Sequence, residues 1–493
     1  MKKVALFISM ILCINTLFAQ IGTTFWVDSI QYIIAEDNKL VIEATDPGLV
    51  IADIPETITH NGNTYRVTGI NELAFYCHTS LTSVTLPNSI VGIGIFSFEN
   101  CVNLTSVTLG DSVYAIRNSA FNGCSSLQTI NIPSTLSILE EQAFKNCTSL
   151  TSINIPDNIT VIENSTFSNC NNLTTVTIGN RVTEIKANAF ENCFLLNTHF
   201  VLDSIVSIET NAFINCWSLN EITLGENLTN LSNLAFMGCI SLNTLNFNAI
   251  NCTNFTDNNH PFSNTAINTI NIGENVQRIP AYFAYGFNQL SAVNIPNSVT
   301  EIGEQAFYAC SNLSSITIPN NVTSIKEKTF QNCSSLNVIT LGSSVDTLES
   351  SAFRYCNALQ TINCLATTPP VFSDNSVFPF QNSANVKVPC GSLDAYNADY
   401  YWFTYFGERI TEDCESSLED MEESALSFYP NPAKDRVSFS EKIERVELID
   451  LNGKTIKVFE NVNEINIKDI SSGVYFLKLH AFDKTTTQKL IKE

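Results

Sequence analysis

Sixteen cysteines are the residues of this chain best able to do chemistry, because thiolates ligate zinc, exchange disulfides and act as nucleophiles. Their spacing speaks against all three roles. Cys77, Cys101, Cys124, Cys147, Cys170, Cys193, Cys216, Cys239, Cys310, Cys333 and Cys356 return about every 23 residues at one repeated position, without the short paired spacings of a zinc site. In the coil that follows residue 262 the count puts Phe287 at that position, and a phenyl ring cannot stand in for a ligand. The column therefore reads as small apolar groups packed between neighbouring repeats. Cys252, Cys364, Cys390 and Cys414 remain available for a disulfide in an oxidising compartment, with the connectivity open.

Other catalytic side chains are scattered. His60, His78, His199, His260 and His480 stand in no helical zinc motif and near no nucleophile elbow, and nothing in the spacing selects a pair of carboxylates. The Asn-rich stretch from Asn248 to Phe262 reads as a loop bulging from the edge, and Asp257 among its amides offers too few charged oxygens for calcium. No catalytic residue, metal or cofactor is assigned, and a non-enzyme is expected.

The elements that hold these residues are repeats. A block A-F-x-N-C-x-x-L-x-x-I-x-I-P recurs, with its aromatic position filled by Phe75, Phe98, Phe121, Phe144, Phe167, Phe190, Phe213 and Phe236, then by Phe307, Phe330 and Phe353. A period in the twenties marks a solenoid, whose coils bury their apolar faces only by stacking. Within one coil Leu150, Ile153 and Ile155 point inward on a short strand, and Pro156 ends it. Ile159 and Ile162 return to the core, and Ala143, Phe144 and Cys147 form the opposite wall.

The last outward residue of each strand is Thr or Asn in all but one coil, from Thr85 and Thr108 to Thr340 and Asn363. These side chains suit a hydrogen-bonded ladder, or a face for glycan or peptide ligands. Phe200 is the exception, beside His199 where Ile or Val is usual. An exposed ring at Phe200, with Thr177, Glu221 and Thr223 as polar neighbours, is the expected ligand-binding spot.

The repeat resembles the BspA-type leucine-rich repeat of bacterial surface proteins, over about residues 60 to 365. It differs from the commoner leucine-rich pattern in placing its Cys before the Leu and a Pro after the last Ile. The resemblance implies a secreted recognition or adhesion scaffold, and supplies no ligand.

The flanks complete the plan. Residues 1–19, with Lys2 and Lys3 before an apolar run and Ala19 at its end, read as a signal peptide; no later segment is long enough for a membrane helix. Residues 20–70 read as an N-terminal β cap, 71–365 as about 13 coils, and 366–413 as an aromatic C-terminal cap containing Trp402, a candidate for sugar stacking. Residues 414–425 are acidic and Ser-rich, as in a solvated linker.

From 426 to 493 the ordered motifs Phe428-Tyr429-Pro430-Asn431-Pro432, Asn452-Gly453-Lys454, Gly473-Val474-Tyr475 and a basic tail closely resemble the C-terminal sorting domain of the type IX (Por) secretion system. That resemblance implies Tyr429, Pro430, Asn431, Pro432, Gly453, Gly473 and Tyr475 as sorting motifs and the secretion machinery as a partner. It also implies removal of the domain and attachment of the remainder to surface lipopolysaccharide. The alternating runs suggest a small antiparallel β-sandwich.

The expected architecture is thus mainly β: a leucine-rich-repeat solenoid of short parallel strands, followed by a β-sandwich. A net charge of −23 excludes a phosphate-backbone binder. The expected function is non-enzymatic adhesion or recognition of an extracellular protein or glycan; the alternative is a self-associating component of the envelope or matrix.

Overall fold

The computed structural model describes residues 21–36, 38–256, 260–379, 383–414, 428–429, 433–450, 454–481 and 484–492. The expected leader, residues 415–425 of the linker, Pro430, Asn431, Pro432 and Gly453 lie outside them. The chain divides into two compact units, Met1–Glu412 and Asp413–Glu493.

In the first unit each coil has three hydrogen-bonded walls. The front wall is the strand Ser152–Asn154 and its counterparts, stacked in parallel with Ile153 opposite Val176 and Asn154 opposite Thr177. Pro156 ends this strand, and its carbonyl accepts from Ile159 N–H (3.1 Å) to close the turn into the back strand Val161–Ile162. The third wall has no regular strand, yet Phe144 N–H donates to Thr166 O (2.9 Å) and Asn146 N–H to Ser168 O (2.8 Å) in the next coil. Every wall therefore satisfies its backbone by stacking, which is why one coil cannot stand alone.

The third wall turns twice through the left-handed region, two residues before and two after the phenylalanine. Gln142 (φ 58) and Asn146 (φ 60) flank Phe144 in this way. Asn tolerates that conformation better than other side chains except Gly, which explains the N of A-F-x-N-C. Inside, the phenylalanines form one column, nearly parallel at 5.2 Å between Phe98 and Phe121 and 5.4 Å between Phe121 and Phe144. The strand spacing of about 4.8 Å sets that distance, so the rings stack with an offset.

Both ends continue the stack. Thr24–Val27 and Ile30–Glu36 pair antiparallel, Lys39–Thr45 joins Asn63–Ile70 in parallel, and this sheet runs on into the back wall. Ile51–Asp53 starts the front wall, while Asn385–Pro389 and Ile410–Asp413 extend it, giving about 16 turns. Two short helices, Leu393–Ala398 and Tyr400–Phe406, cover the last coils, with Asp399 accepting from Tyr401 N–H and Trp402 N–H. Trp402 is fully buried, its indole N–H on Pro370 O (2.8 Å), so it is a core anchor and not a sugar platform.

The stretch from Asn248 is not a simple outward bulge. Cys252, Phe255 and Phe262 are buried, Phe262 takes the next place in the ring column at 5.3 Å from Phe236, and the Arg278 guanidinium donates to Cys252 O (3.1 Å). One coil later Ala284 stands in the phenylalanine slot and Phe287 in the cysteine slot, so Phe262 and Phe287 meet edge-on at 80°.

The second unit is an antiparallel sheet in which Arg436–Ile449 pairs with Phe428–Tyr429, Thr455–Asn466 and Gly473–Ala481, and Lys484–Lys492 adds to the last. A register shift between Ser438 and Ile443 divides the long strand. Val437, Ile443, Val446, Leu448, Leu477 and Leu479 fill its core.

Candidate recognition site

Ten of the column cysteines are buried, and each thiol donates to the carbonyl of the phenylalanine slot one coil back, as Cys147 does to Phe121 O (3.2 Å) and Cys310 to Ala284 O (3.2 Å). Burial pushes the Cys101 and Cys170 thiols up to about 12 and raises that of Cys147 well above its ordinary value, so these thiols stay protonated and unreactive. Cys77 corrects the column. It falls two residues after Phe75 and is exposed at φ 56, while His78 takes the buried cysteine slot. Among the other four, Cys390 and Cys414 are disulfide-bonded and Cys252 and Cys364 are free.

The expected spot at Phe200 is inverted. Phe200 is 3% exposed, packed at 6.2 Å from the Phe190 ring and 5.5 Å from Phe213, while Val201 is 57% exposed. One extra residue causes this: the buried Leu196 and Phe200 stand four apart where Leu150 and Ile153 stand three apart, and the turn between Leu202 and Ile205 is one shorter to compensate. A single-residue slip exchanges the two faces of a strand. His199 consequently points outward, and its Nε2 lies 3.1 Å from Thr223 Oγ1 and 3.6 Å from Glu221 Oε1.

Of the four expected residues, Glu221 and Thr223 come together. The Asn246 amide donates to Glu221 Oε1 (2.8 Å) and Thr223 Oγ1 (3.0 Å), and Asn271 donates to Asn246 Oδ1 (2.7 Å). Thr177 is on the front wall but pairs with Asn154, across the interruption that the slip introduces. The aromatic side chains that do reach the surface of these coils are Phe194, half-buried, and Trp217, exposed. Phe194 and Trp217 follow consecutive column cysteines and stack at 4.1 Å, with Trp217 45% exposed. Their signal was available, since Ser125, Thr148 and Asn171 hold that position in the preceding coils.

The two outer surfaces differ in charge. Outward side chains of the front strands between Ser83 and Asn363 are Ser, Thr, Asn or Val, apart from Glu221. The back wall carries ion pairs between coils, including Arg117 with Glu140 (2.6 Å) and Lys186 with Glu209 (2.9 Å).

In the second unit Tyr429 lies in a strand opposite Ser438, Gly473 begins another, and the Tyr475 hydroxyl donates to Ser471 O (2.9 Å). Among the described residues no helix is long and apolar enough to cross a membrane.

Short parallel strands stacked with a period of 23 residues, inward Leu and Ile and a phenylalanine spine define a leucine-rich-repeat solenoid. The chain belongs to the BspA type leucine-rich repeat family, whose six-copy profile matches residues 68–197, 194–259 and 258–387. Residues 427–493 match the secretion system C-terminal sorting domain, which marks the protein for type IX export to the cell surface or beyond. A leucine-rich repeat protein from Bacteroides ovatus ATCC 8483 shares the fold, with 24% identity over 74% of this chain and 99% of that one and a TM-score of 0.51. A leucine rich cell surface protein from Faecalibacterium prausnitzii A2-165 aligns at 25% identity over 72% of this chain and 97% of that one, with a TM-score of 0.40. No curated protein matches the chain.

Proposed function

We propose that this protein is a non-enzymatic adhesion or recognition scaffold that presents its front wall to an extracellular protein or glycan. The observation that carries this reading is the front wall itself, a nearly uncharged row of hydroxyls and amides repeated over successive coils, set against ion-paired charges on the back. Short neutral groups at regular spacing bind a large ligand through many weak hydrogen bonds, direct or through water. On this reading residues 426–493 are removed after export, and the solenoid is retained on surface lipopolysaccharide or released. The test probes an array of extracellular matrix proteins and glycans with the purified full chain. Saturable binding by a monomer supports recognition; assembly that rises with protein concentration and needs no ligand would favour a structural envelope component instead.

A further inference from the structure

The left-handed position after each phenylalanine forms a column along one edge of the solenoid, and its two halves differ. In the first half the amides of Asn146, Asn169, Asn192 and Asn215 bond head to tail, at 2.9 Å, 2.8 Å and 2.9 Å. This ladder fills the edge so closely that a Cβ at Gly238 would lie 2.5 Å from Asn215 Oδ1. In the second half the column reads Gly286, Ala309, Asn332 and Tyr355, and a Cβ at Gly286 would meet nothing within 4 Å. The missing amides leave an open groove of about 630 Å³, walled by Asn288, Ser311, Ser334 and Asn357. A second cavity of about 260 Å³, bordered by Asn264 and Tyr285, shares Gly286 and Asn288 with it and prolongs the groove by one coil.

We propose that this groove binds a neutral oligosaccharide. Three properties select that ligand. The residues lining the groove carry no charge, and the nearby Arg354 guanidinium lies over the Tyr355 ring at its far end, so the floor and walls themselves offer nothing to offset the desolvation of a charged ligand. Among the described residues the side-chain amides of Asn288, Asn332 and Asn357 have no protein hydrogen-bond partner, whereas Asn169 and Asn192, which hold the position of Asn332 in the first half, bond to their neighbours, and an amide offers both donors and an acceptor to sugar hydroxyls. Aromatic surface stands along it: Tyr285 stacks with Tyr308 at 4.8 Å, and Tyr355 is 45% exposed at the far end with the Arg354 guanidinium 4.8 Å from its ring centre. Five rungs span about 19 Å, room for roughly four sugar rings. The inference rests on the recognition reading above and names one ligand class and its place, separate from the front wall.

The test titrates the full chain with cellotetraose, mannotetraose and tetra-N-acetylchitotetraose, with tetragalacturonate as the acidic control, by calorimetry. The expected result is saturable binding of at least one neutral tetrasaccharide and none of the acid. Gly286→Asn refills the floor with a residue that holds the same backbone angle in neighbouring coils, and it lowers affinity tenfold or more; Tyr355→Asn does the same by removing the ring. A thermal unfolding midpoint within a few degrees of the parent shows that both variants fold. Failure of every neutral tetrasaccharide to bind at millimolar concentration, equal binding of the acid, or unchanged affinity in Gly286→Asn would each overturn the assignment. Array binding retained by Gly286→Asn would leave the front-wall reading standing even then.

Discussion

Coils 146–215 and coils 286–355 are built from one repeat, yet the first has a closed edge and the second an open one. Closure comes from asparagine amides that satisfy one another, and opening from Gly286 and Ala309, which are too small to continue the chain. A repeat protein hides its polar groups by giving each a partner in the next coil, so a binding surface appears where the series is broken. The coil at 193–224 breaks it differently, by an extra residue that turns His199 and Val201 outward and Phe200 inward.

The largest effect separates core from surface in that slipped coil. Phe200→Ala is expected to cost about 3–5 kcal/mol, as Phe167→Ala does in a regular coil, because both rings are buried against other rings. Val201→Ser, on the exposed side, changes stability by about 0.5 kcal/mol or less. Urea unfolding of the three variants measures this, and a small effect of Phe200→Ala would restore the outward ring that the repeat count suggests.

Next in size is a pH effect confined to the irregular coil. Burial holds the His260 imidazole down at about 4, against 6.5 for the free side chain, with Nε2 at 2.8 Å from Tyr282 O. The unfolded chain therefore takes up a proton at a pH where the folded chain does not. Its contribution is intact above pH 6.5 and falls as pH drops toward 4, by about 3 kcal/mol. His260→Asn should flatten the unfolding midpoint between pH 7 and 4 relative to the parent, and parallel curves would refute the burial argument.

Smaller again is the edge itself. Asn169→Gly keeps the left-handed backbone and removes two ladder hydrogen bonds, for about 1 kcal/mol, whereas Asn332→Gly removes none and stays within about 0.5 kcal/mol. Equal losses at both positions would mean that the ladder does not distinguish the two halves. The mildest probe is chemical: a thiol reagent applied to the native chain should label exposed Cys77 well before the buried column.

The solenoid was legible because its signals recur. Leu150, Ile153, Ile155 and Phe144 fall at spacings that admit one coil geometry, and eleven phenylalanines repeat the message. The sorting domain was legible from ordered motifs, although Pro430, Asn431, Pro432 and Gly453 lie outside the described residues. What failed was register at single residues. Counting from Leu196 puts Phe200 outward, because a compensated insertion leaves the overall period close to 23 and only the packing reveals which ring the core admits. Cys77 was misplaced by one position for a different reason: it falls two residues after Phe75 where the other column cysteines fall three after that slot, which leaves His78 in the buried place. The open groove was not visible at all, because it depends on which asparagines lack a neighbour and on where a small residue leaves space.

The claim that this edge is open for want of asparagine is tested most directly by putting asparagine back. The double variant Gly286→Asn, Ala309→Asn is expected to unfold at the same urea concentration as the parent or a higher one, because the new amides meet empty space and each other. A fall of more than about 1 kcal/mol would contradict the account, since it would show that the small residues are demanded by packing and that the groove is not free space.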